Sequence, residues 1–420
     1  MKKMNKKYNV RLYAYKIIYQ VKYQKGYSNL LLRKYLSLFN NSDKALLTNI
    51  VYGVLKNDLL LDYQLSFMKD IKLSNKQRTI LYIALYQFHF LDKIPQYAIL
   101  DEANKMSLKI LDNYQKKFIN MILHQLLNKE LVYASTNDEL LNISINYSHP
   151  LWLIKMLNKQ YSYEQMQAIV EDNLKPSLTY LRVNQLKKDK FINNNNFNKI
   201  NDFLYYYTGH DISKDANYLN GIVSIQDRAA QQVASLLNPL DNSIVLDMCA
   251  APGTKTCHLA EIMHDTGLIK AVDIYEHRIT LINNEIKRLN LHNIKTLCFD
   301  SIKLLDIEKE NSFDYILLDA PCTGLGVIKR KPEIKYQDIS TSMDEIILIQ
   351  KELLKVAYKL LKPGGYLVYS TCTLNKKENE FQINNLLNEY QDLIKISEQT
   401  IFNYTNNSDG FYMCKLQKIL

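Results

Sequence analysis

The stretch that decides the fold of this chain is SIVLDMCAAPGTKTCHLAE, residues 243–261. Its apolar run ends in the acid Asp247, and a loop of small residues with Pro252 and Gly253 follows. From Thr254 onward the sequence has the pattern of a helix. A buried strand, a small-residue loop and a helix form an arrangement that holds nucleotides in α/β proteins. The stretch therefore predicts a nucleotide-like ligand at the end of this strand.

Strand-like and helix-like runs alternate through the rest of the C-terminal half. The predicted strands are IVLDMC, LIKAVD, IKTLCF, DYILLD, YLVYST and GFYMCKLQ, with helical runs such as HRITLINNEIKRLN between them. This alternation predicts a mostly parallel, doubly wound sheet. Ligands of such sheets bind beyond the carboxyl ends of the strands. The residues expected at those ends are Asp247, Asp273, Asp300, Asp319 and Cys372.

Three kinds of nucleotide loop compete for residues 247–255. A P-loop needs a glycine before its lysine, but Thr254 precedes Lys255. A dinucleotide loop needs three spaced glycines, and only one is present. The S-adenosylmethionine loop remains: Asp247 can accept from the ligand's ammonium group, Asp273 from two ribose hydroxyls and Asp300 from the adenine amine. Ordinary caps of the following helices explain one such acid easily, and three less well.

The chain before this region divides into two further parts. Residues 8–130 have helical periodicity with few glycines and prolines, as in VRLYAYKIIYQV. After a polar connector at 131–149 come two helical runs and then the strand-like segments SLTYLRVN and GIVSI. We predict an all-α domain at 1–140, a small α/β subdomain at 146–220 and a Rossmann-like domain at 221–420.

The excess of positive over negative charge is confined to the N-terminal third of the chain. Residues 1–145 carry 22 Lys and Arg against 11 Asp and Glu, whereas the remainder carries 31 against 32. A basic face attracts polyanions such as nucleic acid, although a solubilising surface has the same composition. The charge therefore favours a nucleic-acid partner without deciding it.

Cysteine usage and hydropathy suggest where the protein works. The six cysteines lack the paired spacing of zinc sites and the density of secreted disulfide proteins, so no metal is expected. No apolar run approaches ~18 residues, and the basic N-terminus lacks the apolar stretch of a signal peptide. We expect a cytoplasmic protein that does not contact a membrane.

Three motifs in order identify a family resemblance. LDMCAAPGTKT, LLDAPCTGLGVIKRKPEIK and LVYSTCTLNKKENEFQI resemble the motifs of the RNA cytosine-C5 methyltransferases, Rossmann-type enzymes that use S-adenosylmethionine. The pairs Pro321-Cys322 and Thr371-Cys372 are hallmarks of the family. The resemblance implies that the Cys372 thiolate adds to C6 of cytosine and that Cys322 assists proton removal and release. Asp319 would interact with N3 of the base, and Lys255 would support the site electrostatically.

The resemblance and the strand-end acids together give the predicted binding residues. The cofactor-binding set is Asp247, Cys249, Ala250, Ala251, Pro252, Gly253, Thr254, Lys255, Asp273, Arg278, Asp300 and Asp319. The predicted RNA contacts are Lys329, Arg330, Lys331 and Asn379, for which a solvated loop and an ordinary helix start are the alternatives. The family's loop usually has glycine at the position of Thr254. A positive φ there would make threonine costly and put cofactor affinity in doubt.

Other stretches narrow the resemblance. NDLLLDYQL, HPLWLIKML, SIQDRAAQ and DGFYMCKL resemble the family members that methylate 16S ribosomal RNA and carry a helical domain similar to the antitermination factor NusB, an RNA binder. This implies ribosomal RNA as the partner, before full subunit assembly, and a monomeric enzyme.

Three alternatives remain open at this point. The same chemistry on transfer RNA is not distinguished by these motifs. A non-catalytic RNA-binding assembly factor is disfavoured because both cysteines and the strand-end acids are present. A small-molecule methyltransferase would leave the basic helical domain without a role.

Overall fold

The computed structural model describes residues 8–68, 71–209, 211–337 and 339–419. Residues 1–7, which carry four lysines of the basic N-terminus, lie outside the described residues. The chain forms two compact units. The helical unit comprises Met1–Lys175 together with Ile328–Gln337, and the sheet unit comprises Pro176–Val327 and Asp338–Leu420. The predicted subdomain at 146–220 is thus divided, its helices belonging to one unit and its strands to the other.

Nine helices of the described residues build the N-terminal part of the helical unit. They are α1 (Val10–Tyr23), α2 (Ser28–Leu36), α3 (Asn41–Ser66), α4 (Asn75–Phe90), α5 (Gln96–Ile110), α6 (Asn113–Leu126), α7 (Glu139–Asn146), α8 (Leu151–Gln160) and α9 (Tyr163–Leu174). Helix α4 starts with a capping box, in which Ser74 and Gln77 satisfy each other's backbone N–H groups. Apolar faces of α1, α3 and α4 form the core, and Gly53 lets α3 approach the ring of Tyr86.

A kink in α3 binds the segment Ile328–Gln337. Asn57 interrupts the helix with φ −113° and ψ 16°. The carbonyl of Lys56 therefore accepts a hydrogen bond from the ammonium group of Lys335 at 3.2 Å. The same ammonium donates to the Ser148 carbonyl at 2.6 Å and lies 3.4 Å from the Asp58 carboxylate. A segment that follows Cys322 closely in sequence is thus held by the helical unit.

The sheet unit begins with a four-stranded antiparallel sheet. Its strands are β1 (Thr179–Val183), β2 (Phe197–Lys199), β3 (Leu204–Tyr207) and β4 (Val223–Ile225), in the order β2-β3-β1-β4. The short helices α10 (Ala216–Leu219) and α11 (Arg228–Leu237) flank β4. The sequence predicted β1 and β4 but not β2 and β3. Because β4 pairs with β1, this sheet extends past the predicted boundary at residue 220.

A seven-stranded sheet forms the rest of the sheet unit. The strands are β5 (Ile244–Asp247), β6 (Leu268–Asp273), β7 (Ile294–Cys298), β8 (Phe313–Asp319), β9 (Leu361–Thr371), β10 (Leu393–Ile401) and β11 (Phe411–Lys418). The helices are α12 (Thr254–Ile262), α13 (Glu276–Leu289), α14 (Ile339–Leu360) and α15 (Glu380–Glu389). All six strands predicted here are present, and β10 is an additional one.

The strand order places a ligand-binding crevice at the centre of this sheet. The order is β10-β11-β9-β8-β5-β6-β7, and β5 to β9 pair in parallel while β11 runs antiparallel to both of its neighbours. Chain order reverses between β5 and β8, and such a switch point opens a crevice beyond the carboxyl ends of the strands. The predicted fold class, a helical N-terminus, a small α/β part and a Rossmann-like sheet, is confirmed. No helix of the described residues is long and apolar enough to cross a membrane.

Candidate active site

The loop between β5 and α12 lies at the switch point. The Ala251–Pro252 peptide bond is cis, and Gly253 has φ +99°. A Cβ at Gly253 would lie 3.1 Å from the backbone of Ile282, so both the conformation and the space require glycine. The Gly253 N–H donates to the Ala250 carbonyl at 2.7 Å and closes the turn. Glycine is therefore needed here for the turn and for the close packing of the loop against α13.

The positive φ falls on Gly253 and not on Thr254. Thr254 is the first residue of α12 and is not among the described non-glycine residues with positive φ. Threonine is therefore unstrained at the position where the family usually has glycine. The backbone strain that a positive φ would impose on Thr254 is therefore absent.

Asp247 is almost fully buried, with 1% of its surface exposed. The Thr256 hydroxyl donates to its Oδ2 at 2.7 Å, while Oδ1 makes no well-formed hydrogen bond to the described residues. Burial raises the pKa of Asp247 to about 7, although the Thr256 hydroxyl lowers it. A carboxylate with an unused oxygen fits a cationic ligand group such as the ammonium of S-adenosylmethionine.

The other two strand-end acids have different surroundings. Asp273 is buried and accepts from the N–H groups of Ala251 and Tyr275, each at 3.3 Å, with Arg278 at 3.7 Å. Asp300 is half-buried and accepts from the Ile302 N–H at 3.0 Å as the cap of a 3₁₀ helix. Asp273 thus links the loop between β5 and α12, here called the cofactor loop, to the end of β6. Asp300 has the helix-capping role that was the alternative to adenine binding.

Cys249 lies in the same loop as an unreactive thiol. Burial raises its pKa well above the ordinary range, and the carboxylates of Asp247, Asp319 and Asp273 raise it further. Its place in the predicted cofactor set therefore rests on the backbone rather than on its sulfur.

A buried arginine anchors the first turn of α12. Arg182 of β1, 1% exposed, donates from Nε and Nη2 to Glu261 at 3.1 and 2.7 Å. Its Nη1 donates to the Thr254 carbonyl at 3.2 Å. The small sheet is thereby joined to the helix that begins at the cofactor loop. Sequence reasoning missed this residue, because one arginine in a strand carries no signal of its partner.

Two thiols meet beyond the ends of β8 and β9. The sulfur atoms of Cys322 and Cys372 lie 3.3 Å apart, and both side chains are partly exposed. The hydrogen bond with Cys372 raises the pKa of Cys322 well above its ordinary value, and burial adds to the shift. The two thiols are thus hydrogen-bonded to each other, and either sulfur can be the donor.

Asp319 and Lys255 lie beside the thiols. Lys255 Nζ donates to Asp319 Oδ2 at 2.6 Å, and the Ser370 hydroxyl donates to Asp319 Oδ1 at 2.8 Å. Burial alone would lower the pKa of Lys255, but Asp319 raises it above its ordinary value, and Cys372 contributes in the same direction. A permanent cation near Cys372 favours the thiolate.

The structure corrects two of the four predicted RNA contacts. Lys329 is buried in the helical unit, where its ammonium lies 2.5 Å from Asp172, and Asn379 is fully buried in the sheet unit. Neither side chain can reach a phosphate. Arg330 is half-buried and Lys331 is exposed, so these two stay predictions. A basic triplet resembles a surface patch in sequence, and only the fold shows which lysine has an internal partner.

Comparison with known proteins identifies the chain's relatives. Residues 234–417 match the model of the 16S rRNA methyltransferase RsmB/F family, residues 8–128 match the NusB family, and residues 149–191 match the ferredoxin-like domain of RsmF/B-like methyltransferases. The chain is 32% identical to a probable ribosomal RNA small subunit methyltransferase B of Bacillus subtilis, with 98% of this chain and 99% of that protein covered. It is also 32% identical to ribosomal RNA small subunit methyltransferase B of Shewanella oneidensis, with 98% and 99% covered.

Among solved structures, a methyltransferase homologue from Pyrococcus horikoshii superimposes with a TM-score of 0.59 at 26% identity, covering 68% of this chain and 100% of that one. The chain belongs to the RsmB/F family of methyltransferases. The predictions of a methyltransferase and of S-adenosylmethionine as its cofactor are confirmed by the family to which the chain belongs.

Proposed function

We propose that this RsmB/F family member transfers a methyl group from S-adenosylmethionine to C5 of a cytosine in small-subunit ribosomal RNA. The observation that carries the proposal is the pair of thiols 3.3 Å apart at the switch point of the sheet. The relatives from B. subtilis and S. oneidensis are named as methyltransferases of small-subunit ribosomal RNA, which supports the substrate class.

The residues present fit the cofactor. Asp247 offers an oxygen with no well-formed hydrogen bond among the described residues, and Asp273, which accepts from the Ala251 N–H of the same loop, would accept from the ribose hydroxyls. When bound, S-adenosylmethionine supplies an electrophilic methyl group on a sulfonium. The positive charge of that group would further favour a nearby thiolate.

Cys372 starts the reaction as a nucleophile. Cytosine C5 is a poor nucleophile, but addition of the Cys372 thiolate to C6 moves electron density to C5, which then takes the methyl group. Either sulfur of the pair can donate, and in this proposal Cys322 is the donor and the Cys372 thiolate the acceptor before addition. Asp319, which accepts from Lys255 and Ser370, would hydrogen-bond or protonate N3 of the ring, and the Lys255 ammonium would offset the negative charge that develops there.

Cys322 completes the reaction as a base. Once Cys372 is bonded to C6 its sulfur is a neutral thioether, so the main cause of the raised pKa of Cys322 is removed. The partly exposed Cys322 thiol then releases its proton to solvent more easily, and the resulting Cys322 thiolate accepts the proton from C5. The electron pair of the C5–H bond re-forms the C5–C6 double bond and expels the Cys372 thiolate. The target base must be single-stranded or flipped out to enter the crevice.

Two substitutions separate these roles. We expect Cys372→Ala to abolish methyl transfer, and Cys322→Ala to accumulate a covalent protein–RNA adduct, visible as a shifted band on a denaturing gel. Cys298→Ala is the matched control, since that exposed thiol lies at the end of β7 away from the pair. Full activity of Cys372→Ala would overturn the nucleophile assignment.

The substrate is tested by mapping. Bisulfite sequencing of ribosomal and transfer RNA, with and without the gene, should show loss of one 5-methylcytosine in small-subunit ribosomal RNA. Loss from transfer RNA instead would replace the proposed substrate and leave the chemistry standing. No loss from either RNA, with S-adenosylmethionine still bound by the purified protein, would favour an assembly factor.

A further inference from the structure

We propose that Glu378 is a positioning residue that sets the distance between the two thiols. It does so by holding together the two cysteine loops, namely the loop after β8 that carries Cys322 and the loop after β9 that carries Cys372. The proposal deepens the proposed function, because it concerns the same pair of sulfurs. Glu378 touches neither sulfur through a hydrogen bond of its own. It acts through Thr323 and Thr373, the residues that follow Cys322 and Cys372 in sequence.

The Glu378 side chain is fully buried and its carboxylate gathers donors from both loops. Oε2 accepts from the Thr323 N–H at 2.9 Å, and Oε1 accepts from the Thr323 hydroxyl at 2.6 Å. The Thr373 hydroxyl lies 3.5 Å from Oε1 and 2.9 Å from the Thr323 hydroxyl. One carboxylate therefore holds the residues next to both cysteines.

Two amides complete the coordination of this carboxylate. Asn375 Nδ2 donates to Oε1 at 3.0 Å, and Gln350 Nε2 of α14 donates to Oε2 at 3.2 Å. The Gln350 amide also donates to the Pro321 carbonyl at 2.9 Å, one residue before Cys322. No Lys or Arg is within ion-pair distance of Glu378 among the described residues, so neutral donors alone satisfy it. The Oε2 position is specific for an acceptor, because the Thr323 N–H can only donate and the Gln350 NH₂ is fixed by its second bond to the Pro321 carbonyl.

Asn379 fixes the other side of the Cys372 loop. Its Nδ2 donates to the Thr373 carbonyl at 3.0 Å, and its Oδ1 accepts from the Thr371 hydroxyl at 2.6 Å. The residues on both sides of Cys372 are thereby held by adjacent side chains at the start of α15. Glu378 is the member that reaches both loops, and this distinguishes its effect from that of Asn379.

Replacing the carboxylate by an amide tests the proposal. In Glu378→Gln one oxygen becomes an NH₂ group, which faces donors instead of acceptors and loosens at least one loop. We expect kcat for methyl transfer to fall about 10²-fold, as for a misplacement of about 1 Å, with the Kd for S-adenosylmethionine unchanged. Glu380→Gln is the matched control, because this neighbouring carboxylate has a buried oxygen with no partner and makes no bond to either cysteine loop.

A second readout measures the thiol pair without RNA. The reduced full-length protein, carrying Cys298→Ser to remove the exposed thiol, is equilibrated with glutathione and glutathione disulfide. Two protein thiols and one glutathione disulfide give the Cys322–Cys372 disulfide and two glutathione thiols. Alkylation and mass spectrometry then give the effective concentration of one thiol toward the other. We expect it to fall about 10²-fold in Glu378→Gln and to stay unchanged in Glu380→Gln.

A milder variant guards against misfolding. Thr323→Val removes one donor to Glu378 and keeps the carboxylate, and we expect about a tenfold fall in effective concentration. An unchanged value in folded Glu378→Gln, or in Thr323→Val if the first variant does not fold, would overturn the proposal. If the effective concentration falls in Glu378→Gln but the protein does not methylate cytosine, the positioning role of Glu378 is supported and only the proposed function is overturned.

Discussion

Asp247 and Glu378 are two buried carboxylates at the same edge of one sheet, and their surroundings are opposite. Asp247 accepts from the Thr256 hydroxyl at 2.7 Å, and its Oδ1 makes no well-formed hydrogen bond within the described part of the chain, although the Cys249 N–H lies close enough to lower its pKa. Glu378 has four donors within 3.2 Å and a fifth hydroxyl at 3.5 Å. Burying a carboxylate without partners costs free energy, and burial accordingly raises the pKa of Asp247 to about 7. The fold therefore supplies donors to both oxygens of Glu378, whereas Oδ1 of Asp247 is the oxygen that we propose for the ligand's ammonium group.

The largest expected effect comes from removing the partner of a third buried carboxylate, Glu261. Both of its oxygens accept hydrogen bonds from Arg182. Arg182→Met leaves the Glu261 charge unpaired, and we expect the free energy of unfolding to fall by about 3–5 kcal/mol. Urea denaturation of the full chain measures it. The control is Arg182→Met combined with Glu261→Met, in which no unpaired charge remains and most of the loss should be recovered. Equal losses in the single and double variants would show that packing, not charge satisfaction, dominates here.

The fold at this edge was largely readable from the sequence, for a physical reason. Strands buried on both faces carry continuous apolar runs, and their ends were marked by Asp247, Asp273 and Asp319. The strand β10 was missed because its interior is exposed and its sequence, LIKISEQTI, lacks a buried apolar run. The strands β2 and β3 were missed because their short sequences, FNK and LYYY, do not alternate apolar and polar residues as the equally short β4, VSI, does.

The sequence predicted site residues only where the residue type itself indicates a chemical role. The cysteine pair and the strand-end acids carry such a signal. Glu378 and Asn379 lie in KKENE, whose charge is typical of a solvated helix start, and only the tertiary structure buries them. Lys329 was misassigned for the same reason, since the partner that buries it, Asp172, is distant in sequence.

The second expected effect is the part of the pH dependence of the free energy of unfolding that comes from Asp247. Its pKa is raised in the folded protein, so between the unfolded value near 4 and about 7 the folded state binds more protons than the unfolded state. Stability from this group therefore falls as pH rises through that window, by about 2 kcal/mol from pH 5 to pH 7. Urea unfolding at several pH values, compared between the natural protein and Asp247→Asn, isolates it. Parallel profiles for the two proteins would mean that Asp247 is already satisfied.

The third expected effect concerns the unused oxygen of Asp247. We predict that Asp247→Asn weakens S-adenosylmethionine binding by about 2 kcal/mol, roughly thirtyfold, because a charged hydrogen bond to the ammonium is lost. Isothermal titration calorimetry measures the Kd. In the natural protein the affinity should rise from pH 6 to pH 8 as Asp247 ionises, and this rise should be absent in Asp247→Asn. A pH-independent affinity in both proteins would remove Asp247 from the cofactor site.

The smallest expected effect comes from the side-chain hydroxyl that donates to Asp247, that of Thr256. Thr256→Val keeps the shape of the fully buried side chain and removes its hydroxyl. The hydroxyl stabilises the ionised carboxylate, so the pKa of Asp247 should rise further, and stability should fall by about 1 kcal/mol at pH 8 with little change at pH 5. Unfolding free energies at the two pH values measure this. An equal loss at both would show that the hydroxyl acts through packing, and that the difference between Asp247 and Glu378 is not one of hydrogen-bond satisfaction.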